Sequence, residues 1–131
     1  MPSRDDTLST KPLLDKLGVK TGMRVAVIRV DDDEFLRELA DRAEVLARLR
    51  KGIEMVFLGV EGPADMKRLA KLKETIACDG TVCVVYRKGQ KTFNENDVMR
   101  LGLETGLVDV KVVRFSDTHT ATKYVIRKSE R

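Results

Sequence analysis

The sequence predicts an α/β domain: a mostly parallel sheet between two helical layers, ending in an antiparallel β-hairpin. Three observations carry this. Met23–Val30, Ile53–Val60 and Thr81–Arg87 are short runs dominated by apolar residues, with the near-continuous hydrophobicity of strands buried on both faces. Segments with helical apolar spacing separate these runs, and strand–helix alternation favours parallel strands joined by right-handed crossovers. Finally, Val108–Phe115 and Ala121–Arg127 read as strands joined only by Ser116-Asp-Thr-His-Thr120, a connection of hairpin length.

Residues 1–10 are polar and are expected to be mobile, 11–128 to form the single domain, and 129–131 to be a tail. Pro12 suits the start of a short helix through Leu17, with Leu13, Leu14 and Leu17 on one face and Gly18 as its stop. The first strand follows. Asp31–Glu34 then opens a helix carrying Phe35, Leu36, Leu39, Ala40 and Ala43 at helical spacing. Acidic residues in a first turn complement the macrodipole and cap free N–H groups. Residues 44–50 read either as a continuation of this helix or as a short edge strand. A parallel strand there is disfavoured, because a crossover to the next strand normally needs a dozen residues and only Lys51-Gly52 intervene.

After the second buried strand, Pro63 is placed to start a helix over Ala64–Ala77, with Met66, Leu69, Ala70, Ile76 and Ala77 inward. Asp79-Gly80 reads as the turn into the third strand. Asn94 or Asn96 caps a helix through Glu104, which Gly106 ends.

Composition narrows the functional classes. The chain has 131 residues, 42% hydrophobic and 35% charged, with a formal net charge of +4, which suits one soluble domain and is too weak by itself to indicate nucleic-acid binding. No apolar run is long enough to cross a bilayer, and Met1–Thr7 lacks the apolar core of a secretory signal. Two cysteines make no disulfide framework, so a reducing cytoplasm is expected. Cys78 and Cys83 match no redox or zinc spacing, and no metal site is expected.

Leu17-Gly-Val-Lys-Thr-Gly-Met-Arg-Val25 and Cys78-Asp-Gly-Thr-Val-Cys-Val-Val85, with the final hairpin, resemble a reduced class I methyltransferase. That is the Rossmann-like three-layer domain that binds S-adenosylmethionine. From Leu17 to Lys128 the chain also resembles small bacterial proteins of a family of unknown function. Gly106-Leu-Val-Asp-Val-Lys-Val112, Asp117-Thr118 and Lys123-Tyr-Val-Ile-Arg127 carry that likeness. An aromatic residue commonly stands there at the place of His119, and a proline at the place of Arg87. This second resemblance implies no activity.

The methyltransferase likeness implies a Gly-rich cofactor loop after the first strand, where Arg29-Val30-Asp31-Asp32-Asp33-Glu34 stands instead, with Val30 and Asp31 where glycine is expected. Carboxylates at that position oppose a phosphate, and Cβ atoms crowd the approach of any cofactor. The acidic residue that holds the ribose in that fold ends its second strand, and Glu44 is a poor counterpart. The reading from sequence is therefore a non-catalytic binding or interaction module with no cofactor. Its partner is another protein, or a second copy meeting an exposed sheet edge as a homodimer. Two alternatives stand beside it: a small S-adenosylmethionine-dependent methyltransferase, and a nucleic-acid-binding protein. The second is disfavoured by the absence of Trp and the few Tyr and Phe available for stacking.

Site candidates follow from the rule that ligands bind beyond the carboxyl ends of parallel strands. Arg29, Asp31 and Glu61 are the candidates for a cofactor. Lys88, Asp117, Thr118, His119 and Lys123 are the candidates for another ligand, with His119 able to exchange a proton near neutral pH. The hairpin turn can sit at either end of the sheet, so Lys88 and His119 need not meet. No catalytic pair is legible.

Overall fold

The computed structural model describes residues 12–131; the polar stretch 1–10 lies outside them. α1 (Leu13–Leu17) leads into β1 (Arg24–Ile28), α2 (Asp33–Arg42), β2 (Glu44–Val45) and β3 (Ile53–Val60). A 3-10 turn at Pro63–Lys67 runs into α3 (Arg68–Thr75), followed by β4 (Ile76–Arg87), α4 (Glu95–Glu104), β5 (Leu107–Arg114) and β6 (His119–Ile126). The strands form one sheet in the order β2-β1-β3-β4-β6-β5. Pairing is parallel from β2 to β4 and antiparallel at β4–β6 and β6–β5. This is the α/β Rossmann-like, methyltransferase-like architecture read from the sequence. Among the described residues no helix is long and apolar enough to cross a membrane.

The central strand β3 explains the layers. Met55 and Phe57 face α1 and α2, where they join Leu14, Leu17, Phe35 and Leu39. Val56 and Leu58 face the other way, with Met66, Leu69, Leu72 and Val98. All four β3 side chains are almost fully buried, which is why the strand shows no apolar–polar alternation. The helices are fixed by local chemistry. Asp32 caps α2 by accepting the Phe35 N–H at 3.0 Å. Asn94 and Asp97 form a reciprocal capping box on α4. Buried hydroxyls are paired: Tyr86 with Thr122 at 3.1 Å, and Tyr124 to the Val98 carbonyl at 2.8 Å.

Three expectations are corrected. Residues 44–45 do form a parallel strand, because β2 pairs only with Arg24 and Val25 at the start of β1. From there residues 46–52 have only to turn back beneath the sheet to reach β3, so no full crossover is needed. Next, α3 ends at Thr75, with Leu72 inward and Ala70 exposed, and β4 begins at Ile76. The pairing of β4 with β3 is irregular between Ile53 and Met55, and the added residues include Cys78 and Gly80. Third, β6 begins at His119, so the hairpin loop is shorter than predicted.

Candidate functional site

Strand direction assembles the site. β1, β3 and β4 are parallel and end together, delivering Arg29–Asp32, Glu61 and Lys88 to one rim of the sheet. β6 runs antiparallel beside β4 with His119 opposite Arg87, so the hairpin turn lies on this same rim. The Lys88 N–H donates to the Thr118 carbonyl at 3.0 Å. The rim encloses a cavity of about 200 Å³, lined by Arg29–Asp32, Gly59–Glu61, Val85, Phe115, Ser116, Thr118 and His119.

The floor is made by a backbone turn. Arg29 has φ 61°, the only positive φ at a non-glycine position among the described residues. A side chain held there costs about 1–2 kcal/mol, so the surroundings must impose it. Two contacts do. The Arg29 carbonyl rests directly on Gly59, where any Cβ would overlap its oxygen and lie 2.8 Å from its carbon. Asp65 spans the two loops, accepting the Glu61 N–H at 2.8 Å and facing the Arg29 guanidinium at 3.4 Å. The chain thus makes a tight left-handed turn at Arg29, directly before Val30 and Asp31, where glycines were expected.

The electrostatics are acidic. Asp31, Asp32 and Glu61 line the cavity, against Arg29, which is paired with Asp65. This lining repels phosphate and favours a cationic group. On the opposite wall His119 Nδ1 lies 2.7 Å from Thr118 Oγ1. Ser116 Oγ fixes that turn by accepting the N–H groups of Thr118 and His119 at 3.3 and 3.2 Å.

The predicted residues therefore divide. Arg29, Asp31, Glu61, Thr118 and His119 come together at the cavity. Lys88 contributes only its backbone, and its side chain does not line the cavity. Asp117 is turned to solvent and paired with Arg114; it borders a neighbouring shallow groove with Glu34 and Glu38. Lys123 sits at mid-strand, with its ammonium toward Gly18 at the end of α1, so it forms no common site with Lys88. Glu44 is exposed at the opposite end of β1, so β2 brings no carboxylate to the rim for a ribose. Sequence reasoning missed Gly59, Asp65 and Ser116. A glycine inside an apolar strand was their one legible signal, since it marks close backbone approach.

Neither cysteine belongs to the site. Cys83 is buried against α1 and α2, and burial pushes its thiol up to about 12. Cys78 is exposed on β4. One thiol should therefore react with a disulfide reagent in the native protein at pH 8 and two in denaturant; a second fast thiol in the native protein would contradict this burial. The raised value also means that stability falls as pH rises between about 9 and 12, because the unfolded chain sheds this proton first.

No protein-family model matches the chain, and no curated protein matches it in sequence. Solved structures do match it in fold. A SAM-dependent methyltransferase from Aquifex aeolicus is 16% identical with a TM-score of 0.62, over 97% of this chain and 94% of that one. The Burkholderia thailandensis 1,6-didemethyltoxoflavin-N1-methyltransferase, solved with its substrate and S-adenosylhomocysteine, is 11% identical at 0.55, over 86% and 73%. A pericyclic reaction enzyme is 11% identical at 0.63, over 97% of this chain and 50% of its own. These neighbours correct the reading of a non-catalytic module without a cofactor. The match covers 94% of the Aquifex aeolicus methyltransferase, so this chain spans nearly the whole of that fold and not a reduced part of it. The chain has the class I methyltransferase-like fold.

Proposed function

We propose that this chain is a small S-adenosylmethionine-dependent methyltransferase that holds its cofactor at the rim cavity. One observation carries the reading: the β1 turn at Arg29, with φ 61° and its carbonyl seated on Gly59, retains the close backbone geometry the cofactor needs without the glycines. The donor set agrees in part. Asp31 and Glu61 suit the positive sulfonium and the ammonium of the methionine end. The cavity is smaller than most pockets that enclose a whole nucleoside ligand, so the ribose and base would extend over its mouth. With no β2 carboxylate there, the ribose hydroxyls are less firmly held than in the fold's usual form.

Titration calorimetry with S-adenosylmethionine and S-adenosylhomocysteine tests this. Both should bind saturably, the sulfonium form more tightly by up to about fivefold at low salt, from roughly 1 kcal/mol of exposed charge attraction. Glu61→Gln should reduce that preference. Absence of heat at millimolar ligand, with circular dichroism showing an intact fold, would sink the assignment. Fold alone does not fix the reaction, so transfer of a labelled methyl group to an acceptor is the second readout.

A further inference from the structure

We infer that His119 is the catalytic base of this site, and that the methyl acceptor bears a hydroxyl or N–H group that must lose its proton. The inference rests on the methyltransferase reading. His119 is the one histidine of the chain, and the antiparallel register brings it to the cavity wall opposite the acidic β1 turn. Its Nδ1 is engaged by Thr118 Oγ1 at 2.7 Å, and Ser116 holds Thr118 in place through its N–H. No described residue bonds Nε2. A ring oriented through one nitrogen, with the other left for a ligand, is the arrangement general bases use. Thr118 Oγ1 can accept the Nδ1–H of the imidazolium, so the protonated ring also has its partner in place. The carboxylate-bearing residues Asp31, Asp32 and Glu61 line the same cavity.

The balance is simple. S-adenosylmethionine, when bound, would supply the methyl group: its carbon–sulfur bond would break with the electron pair staying on sulfur as the bond to the acceptor oxygen or nitrogen formed. His119 Nε2 takes the proton the acceptor loses and returns it to water. An acceptor that sheds no proton, such as a pyridine nitrogen, has no need of this residue.

Because there is a single histidine, its ring nitrogens give one pair of signals in a ¹⁵N-labelled sample. Saturating S-adenosylhomocysteine should move Nε2 more than Nδ1 and slow carbethoxylation of the ring severalfold. With labelled S-adenosylmethionine and catechol as the probe acceptor, His119→Asn should lower methyl transfer by about 10²–10⁴-fold, far more than it weakens S-adenosylhomocysteine binding. Asn is the informative replacement, since its amide can take the place of Nδ1 beside Thr118 and lacks Nε2; a merely structural histidine would be rescued by it. Cofactor binding with unmoved ring signals and unprotected carbethoxylation overturns the inference and leaves the binding site standing. Retained transfer in His119→Asn does the same. Failure of S-adenosylhomocysteine to bind a folded chain instead removes the methyltransferase reading, and this base with it.

Discussion

Gly59→Ala should abolish S-adenosylmethionine binding and destabilise the fold by about 1–3 kcal/mol, the usual cost of overfilling a packed site. The added methyl would overlap the Arg29 carbonyl, and its obstacle is backbone rather than the movable end of a side chain. Relief requires the Arg29 turn to lift from β3, which also breaks the span that Asp65 makes between the Arg29 guanidinium and the Glu61 N–H. Stability and affinity should fall together. Gly62→Ala is the matched control: it lies three residues on, in extended backbone, with nothing near the position of its Cβ. Chemical denaturation and calorimetry on both variants test this. Wild-type affinity in Gly59→Ala would show that the turn has slack and would remove the observation on which the cofactor site chiefly rests.

Phe35→Ala should cost about 3–5 kcal/mol, as large aromatic truncations in cores do. For a domain of this length that corresponds to a fall in melting temperature of roughly 12–20 °C. Phe35 is 2% exposed and is one of two fully sequestered anchors of α2, with Leu39. Its ring meets Phe57 edge-on at a centroid distance of 5.0 Å and Phe115 at 4.8 Å. That chain of rings ties the sheet centre to α2 and to the hairpin wall of the cavity. Phe35→Leu keeps most of the volume and should cost far less, so the pair separates cavity formation from loss of ring geometry. A thermal melt of Phe35→Ala within a few degrees of wild type would mean that α2 is held by something other than this cluster.

Much of the fold was legible because it is written in local patterns. β3 reads directly from Ile53–Val60, since a strand buried on both faces can carry little else. Asp32 and Asn94 announce their helices because a short side-chain oxygen ahead of an apolar periodic segment satisfies free N–H groups. β2 was not legible: two residues have no period, and Glu44-Val45 is a strand only because β1 is there to pair with it. The early start of β4 was hidden for a related reason, since Ile76 and Ala77 continue the apolar spacing of the helix before them.

The site divides along the same line. From the sequence alone come an α/β sheet with its hairpin, the acidic start of α2, and a list of polar residues standing where strands end. Local preference decides those, because it acts between neighbours in the chain. Only the tertiary structure decides which ends share a rim. The direction of β6 beside β4 turns His119 toward the cavity and leaves Lys123 at mid-strand beside α1. The contact of Arg29 with Gly59, between different strands, holds a left-handed turn that no propensity of arginine would favour. Packing between strands distant in sequence supplies that free energy, and a pattern read along the chain has no term for it.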